Sequence, residues 1–338
     1  MTIPVFFGLE GLTLSDQERG FFKDVKPAGF ILFARNISTV EQVKALCADL
    51  SAYAPGPTPA ILIDQEGGRV RRLKPPLVHA HPPARPLGLL YERDPAAALE
   101  GAKLHGQLIG AELADLGISV DCLPVLDLLF PETHNIIGDR AFSADPEVVA
   151  ALGDAVIAGL TDSGVVPVIK HIPGHGRAKA DSHLELPVVK ASKAELMETD
   201  FVPFKMLSNA PMAMTAHILY TALDEMDCAT HSAHIIDTII RGHMGFDGLL
   251  MSDDLSMKAL GGEMGARALK AIQAGCDIAL HCNGDMAEME AIAKALSPIS
   301  DTSKQRLEKA MHPALKAPQS VDMDALFAAR SSLLEGLA

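Results

Sequence analysis

Short apolar segments recur along the chain, and stretches with helical spacing of apolar residues separate most of them. The eight apolar segments span residues 4–9, 29–33, 60–64, 119–128, 166–171, 212–217, 248–252 and 278–282. Apolar runs of this length are typical of buried strands, and helical crossovers between them are typical of parallel sheets. Eight such units predict an α/β fold, a TIM-type (β/α)8 barrel.

The helical pattern is clearest in three of the intervening stretches. They span residues 94–116, 145–163 and 265–274. The first two open with Asp-Pro, in which the aspartate can cap the helix and the proline fits its first turn.

The last part of the chain departs from this alternation. Two helical patterns, at residues 303–312 and 323–337, have no strand between them. We therefore expect one domain over residues 1–338, with a barrel over about 1–298 and extra helices over about 299–338 that pack on it.

Residues capable of chemistry follow several of the predicted strands. They are Asp64, Asp127, Lys170, His171, His217, Asp253 and Asn283. In a barrel the carboxyl ends of all strands meet at one rim, so these side chains should surround one site. The early strands are not followed by a G-x-G-x-x-G turn, so nothing in the sequence supports dinucleotide binding.

Composition and charge narrow the class of ligand. The formal net charge of −14 argues against nucleic acid or an anionic membrane as partner, because both require clustered Lys and Arg. Trp is absent and aromatic residues make up only 4%, which disfavours long stacking platforms for polymers. A small ligand in a polar pocket is the expectation that remains.

The cysteines and the N-terminus favour a cytoplasmic protein. Five cysteines are odd in number and scattered, unlike a disulfide framework or a zinc ribbon. The first residues lack the basic region and cleavage site of a secretory signal, and no apolar run approaches membrane-spanning length.

The segment 170–185 (Lys-His-Ile-Pro-Gly-His-Gly-Arg-Ala-Lys-Ala-Asp-Ser-His-Leu-Glu) is unusually rich in histidine and glycine. Pro173 and Gly174 prevent it from forming a helix. Asp181 and His183 are two positions apart, so in extended chain they lie on the same side, where a carboxylate can hydrogen-bond an imidazole. This arrangement indicates a proton-transfer pair on a loop.

Other interpretations of this segment remain open. Ordinary turn chemistry would explain its glycines. A zinc site from His171 and His175 would need both on one helix face, which the intervening Pro-Gly disrupts. A phosphate-binding loop would need Lys and then Ser or Thr after Gly176, where Arg177 and Ala178 stand instead.

Asp253 and Asp254 follow the seventh apolar segment, where a strand would reach the rim. They could form the first turn of a helix capped by Ser252. A carboxylate at such a helix start stays ionised, which would also suit a nucleophile. The residues alone leave both interpretations open.

Five motifs together resemble the family 3 glycoside hydrolases, specifically the single-domain β-N-acetylglucosaminidases of bacterial cell-wall recycling. They are residues 64–70 (Asp-Gln-Glu-Gly-Gly-Arg-Val) with Arg72, 138–142 (Gly-Asp-Arg-Ala-Phe), 170–176 (Lys-His-Ile-Pro-Gly-His-Gly), 181–183 (Asp-Ser-His) and 252–256 (Ser-Asp-Asp-Leu-Ser). Ile172 stands where the family commonly has Phe. The resemblance covers nearly the whole chain.

The resemblance implies a role for each motif. Asp253 would be the nucleophile of a retaining mechanism, His183 its general acid/base, and Asp181 the partner that orients His183. An imidazole, with an ordinary pKa of ~6.5, can donate a proton at neutral pH without special burial. The implied sugar-binding residues are Asp64, Arg72, Arg140, Lys170 and His171. We interpret Glu66 and Asp127 as supporting or barrel-packing groups, and His217 as a hydrogen-bonded core residue.

The implied substrate is a glycan fragment with terminal N-acetylglucosamine, such as the anhydro-muropeptides of peptidoglycan recycling. The resemblance implies no cofactor and no metal, and we expect a monomer. Three alternatives stay open: a metal-dependent barrel hydrolase, although no His-x-His follows an early strand; a non-catalytic sugar-binding barrel; and a phosphorylase in which phosphate replaces water.

Overall fold

The computed structural model describes residues 1–130, 137–178, 186–315 and 322–337. Eight parallel strands form a closed barrel, which confirms the predicted (β/α)8 fold. In chain order they are β1 (Ile3–Phe7), β2 (Pro27–Leu32), β3 (Ala60–Ile63), β4 (Val120–Asp121), β5 (Val166–Ile172), β6 (Met212–Thr215), β7 (Leu249–Asp254) and β8 (Ile278–His281). Strand β1 pairs with both β2 and β8, and this pairing closes the ring.

Strand alternation divides the apolar side chains between two cores. In β1, Phe6 points into the barrel, whereas Val5 and Phe7 join the layer between strands and helices. The barrel interior is filled by buried side chains from all eight strands, including Phe6, Ile31, Leu62, Val120, Val168, Met214, Met251 and Leu280. The barrel is therefore packed below its rim, and a ligand can enter only at an end.

The helices surround the barrel. They are α1 (Asp16–Val25), α2 (Val40–Leu50), α3 (Arg85–Tyr91), α4 (Pro95–Asp115), α5 (Pro146–Asp162), α6 (Lys193–Glu198), α7 (Val202–Met206), α8 (Met264–Ala274), α9 (Met286–Ala295), α10 (Asp301–Ala310) and α11 (Met323–Leu333). Asp94 and Asp145 cap α4 and α5, as the Asp-Pro pairs predict. Among the described residues no helix has the length and apolar character needed to cross a membrane.

Helices α4 and α5 approach each other closely because glycines lie at their contact. A Cβ atom on Gly106 would lie 2.4 Å from the carbonyl oxygen of Val156, and one on Gly159 would lie 2.2 Å from that of Lys103. Any side chain at either position would push the two helices apart.

The C-terminal helices α10 and α11 pack on different parts of the molecule. Leu307 and Met311, in and just after α10, pack with the barrel interior, and Ser303 and Arg306 bind Asp277 at the start of β8. Helix α10 therefore covers the amino-terminal end of the barrel. Helix α11 packs on α4. The division of the chain into one domain remains a prediction.

One local feature differs from the sequence-based prediction. The run 119–128 forms only the two-residue strand β4 and, beyond it, an isolated bridge between Val125 and Lys170; Pro124, which lies between them, has no N–H to donate. Residues Ile235–His243, for which no element is predicted from the sequence, form a π-helix.

Candidate active site

A polar cavity of about 240 Å³ opens at the carboxyl end of the barrel. Its charged and histidine lining residues are Asp64, Glu66, Arg69, Arg72, Arg140, Lys170, His171, His175, Asp253 and Asp254. Apolar side chains complete the wall, among them Phe33, Ile137, Met214 and Met257. The six described residues that the family resemblance implies for the site therefore meet at the rim, whereas three of the strand-end residues expected there, Asp127, His217 and Asn283, do not line the cavity.

Five of these side chains form one continuous charge network. Nζ of Lys170 lies 2.8 Å from Oδ1 of Asp64 and 2.6 Å from Oε1 of Glu66. The other oxygen of Asp64 accepts from Nη2 of Arg72 over 2.9 Å. Glu66 also accepts two hydrogen bonds from Arg140, at 2.7 and 2.8 Å. The three cations and two anions are thus held in a fixed order around the cavity.

The network keeps its members charged. Burial alone would raise the pKa of Asp64, but Lys170 and Arg72 hold it well below its ordinary value. Burial would likewise raise the pKa of Glu66, yet Arg140 and Lys170 lower it to about 2. Burial opposes the charge of Lys170, which is only 1% exposed, but Asp64 and Glu66 raise its pKa. The cavity therefore presents ionised carboxylates beside cations at neutral pH.

A short hairpin after β3 positions Glu66 and Arg72. Strand Gln65–Gly67 pairs with Val70–Arg71 in antiparallel fashion. The Gln65 side chain lies buried within the turn, where its Oε1 accepts from the backbone N–H groups of Arg72 and Leu73. Arg72 also lies over the ring of Phe33, 5.0 Å from its centroid. The motif 64–70 thus builds a rigid wall of the cavity.

Asp127 organises the histidines of the motif 170–176. Its Oδ2 lies 2.7 Å from Nδ1 of His171, and its Oδ1 accepts from the backbone N–H groups of His171 and His175, at 3.1 and 2.6 Å. Burial alone would raise the pKa of Asp127, but His171 lowers it to about 2. Burial, followed by the charge of His171, lowers the pKa of His175 to about 4, so this ring is neutral at neutral pH.

Asp253 lies at the end of β7, 8% exposed, and lines the cavity. Burial alone would raise its pKa, but His171 and the backbone N–H of Asp254, which donates to Oδ1 over 2.8 Å, hold it below its ordinary value. Its own N–H faces Oγ1 of Thr215 at 3.3 Å. An ionised, oriented and accessible carboxylate can act as a nucleophile.

The alternative reading of Ser252 as a helix cap is wrong. Strand β7 continues to Asp254, and helix α8 begins only at Met264. The Ser252 hydroxyl instead accepts from the backbone N–H of Leu280 in the neighbouring strand. Asp254 accepts from the backbone N–H and hydroxyl of Ser256 and from the N–H of Cys282. Strand hydrogen bonds, not a helix dipole, therefore position Asp253.

The predicted proton-transfer pair, Asp181 and His183, lies outside the described residues. His217, expected to be a hydrogen-bonded core residue, is fully buried between Oγ1 of Thr230, at 2.7 Å, and the backbone oxygen of Asp254, at 3.0 Å. Among the described residues no group of three or more His, Cys, Asp or Glu side chains is arranged to hold a metal ion.

Two residues interpreted from the sequence as supporting groups have larger roles in the geometry of the site. Glu66 lines the cavity and bridges two cations, and Asp127 holds two histidines. Their positions near the ends of predicted strands were the sequence signal that could have placed them in the site. Their partners, Arg140 and His175, are too distant along the chain for spacing to connect them.

Comparison with known proteins agrees with this geometry. Residues 7–315 match the family described as the glycosyl hydrolase family 3 N-terminal domain. A protein named beta-hexosaminidase from Aromatoleum aromaticum is 38% identical over 328 residues, which cover 96% of this chain and 90% of the relative. Another beta-hexosaminidase, from Alkalilimnicola ehrlichii, is 40% identical over 311 residues, covering 90% and 88%.

Solved structures show the same likeness. NagZ from Neisseria gonorrhoeae in complex with N-trifluoroacetyl-D-glucosamine aligns with a TM-score of 0.88 and 32% identity, over 100% of this chain and 98% of that one. With the family match, the barrel and the motif residues around one cavity, the chain belongs to glycosyl hydrolase family 3, together with these bacterial β-hexosaminidases.

Proposed function

We propose that this β-N-acetylhexosaminidase removes single terminal N-acetylglucosamine residues from peptidoglycan-derived fragments, with retention of configuration at the anomeric carbon. The observation that carries the proposal is the ionised carboxylate of Asp253 on the wall of a cavity that also contains a fixed charge network. The cavity is small and closed below by the barrel core, which suits one sugar ring at a chain end.

The network is suited to recognise a sugar. Asp64 supplies acceptors, and Arg72, Arg140 and Lys170 supply donors, to neighbouring hydroxyl groups and to the acetamido oxygen. His171 adds its Nε2 atom, because Nδ1 is occupied by Asp127. Since these groups are already ordered by one another, little conformational entropy is lost when sugar binds.

In the first step, a carboxylate oxygen of Asp253 attacks the anomeric carbon. The bond to the leaving oxygen breaks, and His183, held by Asp181, gives its proton to that oxygen. In the second step, neutral His183 takes a proton from water, the resulting hydroxide oxygen bonds to the anomeric carbon, and Asp253 departs as carboxylate. Two inversions return the original configuration.

The acetamido sugar and the muropeptide source of the proposed substrate are supported by different observations. The relatives are named beta-hexosaminidase, and a neighbouring structure holds N-trifluoroacetyl-D-glucosamine, which supports the acetamido sugar. The muropeptide source, with anhydro-N-acetylmuramic acid as leaving group, rests on the motif resemblance. A cytoplasmic, monomeric enzyme without cofactor completes the proposal, and five buried, unpaired cysteines are in keeping with a reducing compartment.

The proposal is tested with purified N-acetylglucosaminyl-anhydro-N-acetylmuramic acid, with and without a peptide stem, and products read by mass spectrometry. We expect free N-acetylglucosamine, with the β-anomer seen first by NMR. Trapping with a 5-fluoro glycosyl fluoride of N-acetylglucosamine should add one sugar mass to the peptide containing Asp253. Initial α-product would contradict retention, and N-acetylglucosamine 1-phosphate formed in phosphate buffer would establish phosphate as acceptor.

A further inference from the structure

Helix α11 inserts a buried cation beside the hairpin that carries Glu66. The Arg330 side chain is 2% exposed, although α11 lies near the end of the chain. No carboxylate among the described residues lies within ion-pair distance of its guanidinium, and burial lowers the pKa of Arg330 to about 10, which leaves it protonated at neutral pH. A buried cation without an ion pair is costly, so its hydrogen bonds must compensate.

Two histidines provide most of those hydrogen bonds, beside the backbone oxygen of Ala80, which accepts from Nη2 over 3.5 Å. Nη1 of Arg330 lies 2.6 Å from Nδ1 of His81 and 3.5 Å from Nδ1 of His105. Because a guanidinium only donates, both Nδ1 atoms accept, and each ring carries its proton on Nε2. Burial lowers the pKa of both imidazoles, which agrees with neutral rings.

The second nitrogen of each ring extends the chain of donors. Nε2 of His105 lies 3.3 Å from the backbone oxygen of Glu66, and Nε2 of His81 lies 2.7 Å from Oε2 of Glu112. The backbone oxygen of His81 also accepts from the N–H of Gly68 over 2.9 Å. Arg330 therefore fixes the tautomers of two rings that hold the Glu66 hairpin from two sides.

We propose that Arg330 is a positioning residue for the sugar-binding network, acting through His105 and His81 on the backbone that carries Glu66. Glu66 in turn holds Arg140 and Lys170 at the cavity. This inference rests on the proposed function, because it assigns those two cations to sugar binding. Helix α11 lies beyond residues 7–315 that match the family, so the contact is not part of the matched region.

The test compares the parent enzyme with Arg330→Met, which removes the donors but keeps an apolar stem of similar length. On an aryl N-acetyl-β-glucosaminide we expect KM to rise about tenfold with kcat changed by less than about threefold, since displaced binding cations weaken substrate and transition state alike. The increase in melting temperature on adding N-acetylglucosamine at a fixed concentration should be smaller in the variant, in parallel with the higher KM.

Two further variants separate positioning from mere stability. Arg330→Lys keeps one donor for His81, so its KM should lie much closer to the parent's value than that of Arg330→Met. Ser331→Ala, an exposed neighbour on α11, should match the parent in both KM and ligand-induced shift. If Arg330→Met does not fold, Arg330→Lys is the deciding variant. Its single ammonium cannot reach both rings, so we expect its KM to be about threefold above the parent's value.

The outcomes are distinct. An active parent beside an Arg330→Met enzyme with unchanged KM and unchanged ligand-induced shift overturns the inference, even if the variant melts earlier. Where Arg330→Met does not fold, an Arg330→Lys enzyme with the parent's KM does the same. A parent that neither hydrolyses the glucosaminide nor gains thermal stability from N-acetylglucosamine removes the proposed function and this inference with it.

Discussion

Nδ1 of His171 lies 2.7 Å from Oδ2 of Asp127. Because the pKa of Asp127 is lowered to about 2, this carboxylate is ionised and can only accept, so the proton of the contact belongs to Nδ1 of His171. Under the proposed function, Nε2 is the ring nitrogen that remains to bind the ligand. The orientation of a cavity histidine is therefore set by a residue that is itself fully buried.

Asp127→Asn should disorganise both His171 and His175. We expect kcat/KM to fall about 10- to 100-fold, the range in which partners of site residues usually act. The matched control is Asp277→Asn, a buried aspartate at the opposite end of the barrel that binds Arg241 and Arg306. This control should lower the urea midpoint and leave kcat/KM of the folded enzyme nearly unchanged; equal activity losses in both variants would contradict the assignment.

Glu66→Gln tests the charge network. Removing this anion leaves Arg140 and Lys170 buried with less compensation, and we expect a stability loss of about 3 kcal/mol together with a raised KM. Asp49→Asn breaks an exposed, solvent-screened ion pair with Arg19 and should leave the urea midpoint almost unchanged. Urea unfolding and initial rates measure both effects, and similar small losses in the two variants would show that the network is not energetically coupled.

Gly67→Ala tests the hairpin's backbone. Gly67 has φ of 94°, and a Cβ atom there would lie 2.1 Å from the carbonyl oxygen of Pro82, so the alanine must displace the turn beside Glu66. Gly56 has φ of 87° but open space around its Cβ position. Gly56→Ala should cost about 1 kcal/mol, and Gly67→Ala more than about 2 kcal/mol with reduced activity. Equal melting temperatures for the two variants would refute the close approach.

Stability should fall in acid because of the same carboxylates. The pKa values of Asp64, Glu66 and Asp127 are lower in the folded protein than their ordinary values. The unfolded chain therefore binds more protons as the pH falls below about 4.5, so stability that is present above that pH is lost towards about pH 2. Urea midpoints should decline over this window, and the decline should be shallower in Asp127→Asn, whereas parallel curves would argue against the lowered pKa of Asp127.

The barrel could be predicted from the sequence because eight apolar runs each became a strand at nearly the predicted place. The predictions that were wrong concern local structure. Strand β4 is shorter than predicted, and Pro124, which follows it, has no N–H to donate. The apolar pattern of the run does not show that this backbone donor is missing. Ser252 resembled a helix cap because its hydroxyl and two following acids fit that pattern, whereas the structure uses the hydroxyl between strands.

The residues that line the site could be predicted from the sequence, but the contacts between them could not. Strand ends and motifs identified Asp64, Lys170, His171 and Asp253, which line one cavity. The contact of Arg330 with His81 spans 249 positions, and no spacing rule reaches that far. Neither ring of that cluster lies in a recognised motif, so only packing reveals how the end of the chain meets the hairpin.

Asp253 is the proposed nucleophile for an acetamido sugar. The direct measurement is the initial rate on an aryl N-acetyl-β-glucosaminide and on the matching aryl β-glucoside, for the parent, Asp253→Ala and Asp254→Asn. Asp254 is the control because it adjoins Asp253 and binds backbone N–H groups of the following turn and of β8's end. We predict that the parent hydrolyses the acetamido sugar selectively, that Asp253→Ala loses about 10³-fold or more, and that Asp254→Asn loses at most about tenfold. An Asp253→Ala enzyme that keeps the parent's rate would contradict the account.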